Sequence, residues 1–271
     1  MDVTVTMPVF NQVHYTKQCV ESYNHAGVPD EKIIVINNAS TDGTENFLAT
    51  RPKIKTVNNP SNLGCGAAWA QGAELSGSTW TIVTNNDVLV PQGFIEGLVS
   101  FAEEKNFDLV GPAMCEGATD YDFSKHAAEF MARMKNVFRR GIGNGVCFMV
   151  HRRVFEKVGY FDRDPKVGGY ADDEFFRRAR SAGFQLAITG RAFLHHFGSV
   201  TQKSIKSSHR DQIKMLGDRE YYRRKTNQTW PKRKLLQVRD GVRAIWWKNS
   251  EQLKFGNTLR EKRLGGRWIY L

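Results

Sequence analysis

Short apolar runs alternate with helical stripes through the first half of the chain. Val3-Thr4-Val5-Thr6-Met7 reads as a strand that stops at Pro8, and residues 13–26 as a helix with Cys19, Val20 and Tyr23 on one face. The unbroken run Ile33-Ile34-Val35-Ile36 has the pattern of a strand covered on both faces. The turn after it, 37–43, holds Ser40, Thr41 and Asp42, which can cap a short helix over 45–49. A third strand is predicted over 54–57, a small-residue helix over 64–75, and a fourth strand over Trp80–Thr84, ending in Asn85-Asn86-Asp87. Pro91 then opens a helix with Phe94, Ile95, Leu98 and Phe101 at helical spacing. This rhythm predicts an α/β fold: a mostly parallel sheet flanked by helices.

The second half changes character. Ala127, Phe130, Met131, Met134 and Phe138 form a helical stripe, and Val146-Cys147-Phe148-Met149-Val150 reads as a buried strand. Residues 172–182 predict a helix with Phe175, Phe176 and Ala179 inward. Its three first-turn acids suit the helix dipole and by themselves need be no more than structural. Residues 185–188 predict a further strand. Beyond about residue 200 the chain is polar and basic, mainly helical in propensity, with scattered aromatics.

Charge sharpens this division. The net charge of +11 over 271 residues splits into −8 for residues 1–120, +6 for 121–200 and +13 for 201–271. So basic an end suggests a polyanionic partner, and a solvated basic helix surface is the plain alternative. The four cysteines, at 19, 65, 115 and 147, form no CxxC pair, which argues against structural zinc and for free thiols in a reducing compartment. The start has no signal-peptide pattern, and no window holds the roughly 18 apolar residues of a membrane span. The expected location is the cytoplasm, at most peripheral to the inner face of a membrane.

In open parallel sheets ligands bind beyond the carboxyl ends of the strands. Three polar clusters fall there: Pro8-Val9-Phe10-Asn11, Asn37-Asn38-Ala39-Ser40 and Asn85-Asn86-Asp87. Each alone is an ordinary turn composition; their coincidence on one rim marks a site.

Seven segments, in order across residues 2–202, carry a resemblance: VTVTMPVFN, VINNASTDGT, NLGCGAAWAQG, WTIVTNNDVLVPQGF, GNGVCFMVHRRVFEKVGYFD, GYADDEFFRRARSAGF and FLHHFGSVT. The chain resembles the family-2 glycosyltransferases of the GT-A fold, in particular their rhamnosyltransferase-like branch. The resemblance implies a catalytic domain over 1–202, with the nucleotide sugar handled by 1–120 and the acceptor by 121–202, followed by a basic extension over 203–271. It implies transfer, with inversion, of a sugar from a UDP- or dTDP-sugar to an acceptor hydroxyl, probed first in surface-glycan synthesis. Pro8, Phe10, Asn11, Asn37 and Asn38 would hold the nucleotide, with Asn37 where the family has an aspartate. Asn62 and Gly64 match the donor-site loop, and Asn85-Asn86-Asp87 stands for the family's Asp-x-Asp. Asp87, with His196 or its neighbour His195, would then ligate Mn²⁺ or Mg²⁺; a nitrogen ligand favours manganese. His196 has the better claim, because it directly precedes Phe-Gly-Ser. Register from Arg178 and Ala182-Gly183 makes Asp172 the general base, and a slip of one residue makes it Asp173. Gly145-Val146-Cys147 and Tyr160-Phe161-Asp162 resemble the segments that frame sugar and acceptor.

Other classes fare less well. A nicotinamide site needs GxGxxG directly after the first strand, where Pro8-Val9-Phe10-Asn11 stands instead. A non-catalytic carbohydrate- or nucleic-acid-binding module is suggested by the missing acids at Asn37, Asn85 and Ala171; the retained Asp87, Asp172 and His196 oppose it. The extension interleaves Tyr221-Tyr222-Arg223-Arg224-Lys225, Trp230-Pro231-Lys232-Arg233-Lys234 and Trp246-Trp247-Lys248. That mixture suits a glycan, an anionic membrane or DNA, and the last leaves a DNA-modifying transferase as the alternative. The extension's positive charge is not expected to be needed for holding the donor.

Overall fold

The structure is a computed structural model that describes residues 1–208 and 210–271; the side chains of Arg210, Asp211 and Lys232 are outside that description. The first half alternates β1 (Val3–Val9), α1 (Val13–His25), β2 (Ile33–Asn37), α2 (Thr44–Ala49), β3 (Lys55–Asn58), α3 (Cys65–Leu75) and β4 (Trp80–Thr84). Next come β5 (Val88–Leu89), α4 (Phe94–Lys105), β6 (Leu109–Gly117), α5 (Phe123–Met134), β7 (Phe138–Arg140), β8 (Cys147–His151) and α6 (Arg152–Val158). Then follow α7 (Ala171–Ser181), β9 (Leu186–His196), α8 (Val200–Ser208), a 3-10 stretch Arg210–Leu216, α9 (Arg219–Lys225), α10 (Trp230–Phe255), β10 (Arg260–Leu264) and β11 (Arg267–Tyr270).

The main path of the sheet is β11-β10-β6-β8-β4-β1-β2-β3, with β9 pairing β5, β6 and β7. Strands β3, β2, β1 and β4 are parallel, as the β-α-β rhythm predicts, and β8 inserts antiparallel between β4 and β6. Apolar side chains bury both faces. One cluster joins β1, β2 and β4 to α1 and α4, and another packs α3, α6 and α7 on the other face. The fit of α3 on β1 is close: a Cβ on Gly72 would lie 1.8 Å from Thr6 Oγ1.

Several boundaries differ from the sequence expectations: α4 starts at Phe94, after Gly93, rather than at Pro91, and β3 runs over Lys55–Asn58 rather than 54–57. Strand β1 continues through Pro8, which pairs with Ile36, because β4 has left the β1 ladder after Thr6 and no partner there needs the missing N–H. Phe138 does not extend the helical stripe; α5 ends at Met134 and Phe138 opens β7. Strand β6 was unforeseen, since Gly111 and Pro112 interrupt its apolar run, and the register with β9 shifts between Pro112 and Ala113. Strand β9 runs on to His196, well past the expected end at 188. The basic extension is also more than helical: β10 pairs parallel with β6 and β11 closes the edge, so its last residues join the sheet. Among the described residues no helix is long and apolar enough to cross a membrane.

Candidate active site

The carboxyl ends of β1, β2 and β4 open into one cleft of about 740 Å³, part of it open solvent. Pro8 and Phe10, Asn38, and Asn85-Asn86-Asp87 line it from those three strands, and Asn62, Gly64 and Cys65 from the start of α3. Eight of the residues singled out in the sequence therefore share one wall. The geometry behind them is polar and locked. Asn59 Nδ2 donates to Asn38 Oδ1 at 2.8 Å and is itself paired with Gln71. Asn62 Oδ1 accepts from the Gly64 N–H at 2.9 Å, holding the positive-φ turn (+83°) that starts α3. Asn86 is turned back, donating to Thr16 Oγ1 at 2.9 Å.

Asn11 and Asn37 do not line the cleft. Asn11 Oδ1 accepts from the Thr41 N–H at 2.7 Å, and Asn37 Oδ1 accepts from the Ser40 N–H at 3.0 Å while its amide donates to Asn58. Both shape the loop behind the wall.

The two histidines at the end of β9 part company, because successive strand residues face opposite ways. His195 is fully buried among aromatics. Its Nε2 donates to the Gly117 carbonyl at 3.1 Å and its Nδ1 is 2.8 Å from the Tyr121 hydroxyl. Burial pushes its pKa down to about 4. His196 turns the other way, with Nε2 3.4 Å from Asp87 Oδ2 and Nδ1 3.6 Å from Glu116 Oε2. Burial works against its charge, but the carboxylates on either side outweigh it and hold the imidazole at about 9. Glu116 is held down to about 2, chiefly by His196 and then by Lys262. The β5–β9 ladder fixes the pair by setting Val88 opposite His196, and the Val200 N–H donates to Asp87 Oδ2 at 3.1 Å.

The buried pair Asp87 and His196 fits one edge of a cation's coordination shell once the cation displaces the imidazole proton, with a carboxylate oxygen and an imidazole nitrogen at ligand-to-ligand spacing. Among the described residues no group of three or more His, Cys, Asp or Glu gathers to hold an ion unaided. The donor set therefore suits a cation whose remaining positions go to water and to a ligand's oxygens.

Asp172 stands in the first turn of α7, half-buried over Gly145. Desolvation, then the neighbouring Asp173, raises its carboxyl to about 6, a value suited to a base near neutrality. Asp173 is exposed. Glu174 is buried and engaged by Arg178 at 2.7 Å and Arg177 at 3.1 Å, so it serves its own helix. Asp172 is not among the residues that line the cleft, but Gly169, three residues before it, is, and α3 packs against α7.

Sequence reasoning missed two parts of the site. One is Glu116, hidden in the unforeseen β6. The other is the roof, where Thr201 and Ile205 of α8 and Met215 and Leu216 of the 3-10 stretch cover the cleft opposite the strands. Their only signal was a few apolar positions in an otherwise polar extension.

The model of "Glycosyl transferase family 2" matches residues 4–159. The chain is 27% identical over 225 residues to an uncharacterized protein, Mb1552, of Mycobacterium bovis, covering 78% of this chain and 79% of that one. It is 26% identical over 221 residues to glycosyltransferase AglE of Haloferax volcanii, covering 75% and 71%. Among solved structures it is similar to GalNAc-T7 with UDP, GalNAc and Mn²⁺, with TM-score 0.60, 15% identity, and coverage of 73% of this chain and 44% of that chain. It is also similar to the mannosyltransferase PcManGT from Pyrobaculum calidifontis in complex with GDP-Man and Mn²⁺, with TM-score 0.53, 20% identity, and coverage of 72% and 56%. The chain thus spans less than two thirds of either solved chain, and these likenesses establish a shared fold.

Proposed function

The chain belongs to glycosyl transferase family 2 and has a GT-A fold, and from that premise we propose that it transfers a sugar from a nucleotide-sugar donor to an acceptor hydroxyl, with inversion at the anomeric carbon. The observation that carries the reading is Asp87, set on the same wall as Pro8, Phe10, Asn38 and Asn62, with the buried His196 3.4 Å behind it. The nucleotide would lie against that wall, and Asp87 with His196 would hold Mn²⁺ or Mg²⁺. When bound, the cation neutralises charge building on the leaving diphosphate.

Asp172 accepts the proton of the acceptor hydroxyl as its oxygen bonds to the anomeric carbon. The bond from that carbon to the donor phosphate breaks, and the electron pair leaves with the nucleoside diphosphate. Attack from the face opposite the phosphate inverts the centre. Asp173, exposed beside it, is the second candidate for the base. The test is a screen of UDP-, dTDP- and GDP-sugars for protection against heat and for donor hydrolysis with Mn²⁺ or Mg²⁺, followed by an acceptor panel led by surface-glycan hydroxyls. Neither protection nor turnover with any donor would overturn the proposal.

A further inference from the structure

Helix α10 shows solvent a face that soluble proteins usually hide. Leu235, Val238, Val242, Ile245, Trp246 and Leu253 are each between 63% and 86% exposed. At about 100° per residue they fall within one arc of roughly 100°, running on the order of 27 Å along the helix. The opposite face is the docked one: Glu251 is buried there against Arg139, and Trp247 lies under the guanidinium groups of Arg139 and Arg243. The exposed stripe is therefore not the helix's core-facing side turned outward by accident.

Basic residues border it on both sides, Lys234 and Lys248 along one edge and Arg239 along the other. Of the two acids in the helix, Glu251 is buried and Asp240 pairs with Arg239. Five of the six stripe residues are aliphatic, which favours hydrocarbon over stacked bases as the contact. A second copy of this helix would bring lysine and arginine edges against lysine and arginine edges. An apolar stripe between basic edges instead matches an anionic lipid surface, where the stripe enters the acyl boundary and the basic heads reach the headgroups.

We propose that α10 is a membrane-surface helix that lies in the plane of a bilayer containing anionic lipid and sinks its 235–253 stripe into it. The proposal does not depend on the donor-site reading. The helix docks on β7: Arg243 donates to the Arg140 carbonyl at 2.7 Å, and Glu251 pairs with Arg139.

The experiment is flotation of the full chain with phosphatidylcholine vesicles, with and without phosphatidylglycerol. The parent is expected to float with the anionic vesicles. The double variant Val242→Glu and Ile245→Glu should lower that binding by about tenfold or more, because it removes two inserted aliphatic groups and adds charge. Both positions are solvent-facing, so its melting temperature and donor hydrolysis should match the parent's. Lys234→Gln with Lys248→Gln should lose the preference for anionic lipid. The proposal is overturned if the parent does not float, or if the glutamate variant floats equally well. It is likewise overturned if the parent proves to be a vesicle-indifferent dimer that the glutamate variant dissociates, or binds DNA equally with and without the stripe while ignoring vesicles.

Discussion

A Cβ added to Gly145 would stand 1.9 Å from Oδ2 of Asp172, so the carboxylate at the head of α7 rests on bare backbone. Any side chain at 145 must displace it. Gly145→Ala is therefore expected to cut turnover by about 100-fold through misplacement of the base, with donor affinity nearly unchanged. Steady-state kinetics with separate donor-binding measurements distinguish the two effects. A variant with normal turnover would remove Asp172 from the chemistry.

Titration of Asp172 gives a signed expectation. Its carboxyl sits at about 6 because desolvation and Asp173 disfavour the charge. Turnover should rise with pH, changing about tenfold per unit below the midpoint near 6 and levelling above it. Stability moves the other way. A raised carboxyl pKa contributes stability that is complete below the unfolded value of 3.8 and is lost as pH climbs through about 6. Asp172→Asn should thus gain stability over the parent between pH 4 and 7, by on the order of 2 kcal/mol after allowance for partial exposure. The same variant should lose about 10²–10⁴-fold in turnover, and Asp173→Asn much less. If Asp173→Asn is the dead variant, the base is one residue further along α7.

The metal pair is separable from its support. Asp87→Ala and His196→Ala should each abolish metal-supported donor binding, and excess chelator should do the same to the parent. Glu116 faces the other nitrogen of His196 at 3.6 Å and is anchored by Lys262 at 3.2 Å. Glu116→Gln should therefore weaken metal affinity by about 10–100-fold without abolishing turnover at saturating metal. Calorimetric titration with Mn²⁺ reads this directly. Full activity in chelator would sink the metal reading altogether.

How much of this was legible depended on where the signal lived. Ile33 to Ile36 announced a buried strand by composition alone, and the polar clusters after β1, β2 and β4 could be placed on one rim by topology. Asn85 to Asp87 reach the cleft as a result. Strand β6 was not legible, because Gly111 and Pro112 break its run and its burial depends on partners remote in sequence. Glu116 was lost with it. The parting of His195 and His196 needed the length of β9, since only a continuing strand sends neighbours to opposite faces. Asn11 and Asn37 look in the sequence like ligand-facing amides, and they are bound instead by Thr41, Ser40 and Asn58.

The extension is tied to the sheet by a buried ion pair. Arg139 Nε meets Glu251 Oε1 at 2.8 Å, both side chains are nearly inaccessible, and Glu251 also accepts from the Leu259 N–H. Glu251→Ala leaves the Arg139 charge buried and unmatched, which should cost about 3–5 kcal/mol in chemical denaturation. Arg139→Met combined with Glu251→Leu should recover most of that loss. Equal destabilisation by the single and double changes would show that packing, rather than charge, holds the extension in place.

The start of the extension should matter to the donor, although the nucleotide sugar was expected to be handled mainly by residues 1–120. Ile205 is buried at 4% exposure, and with Thr201, Met215 and Leu216 it closes the cleft opposite Pro8 and Asn38. None of these four side chains carries charge, so the roof excludes water rather than attracting phosphate. Ile205→Ala, alone or with Leu216→Ala, should weaken nucleotide-sugar affinity by about tenfold per lost aliphatic contact and hardly change turnover at saturating donor. Neutralising Arg223 and Arg224, which stand apart from the cleft lining, should leave donor affinity and its salt dependence as they are. Thermal shift with nucleoside diphosphate, at low and high salt, measures both. A roof variant that binds donor like the parent, beside an arginine variant that does not, would mean that the extension acts on the donor through charge and that α8 merely lies across the opening.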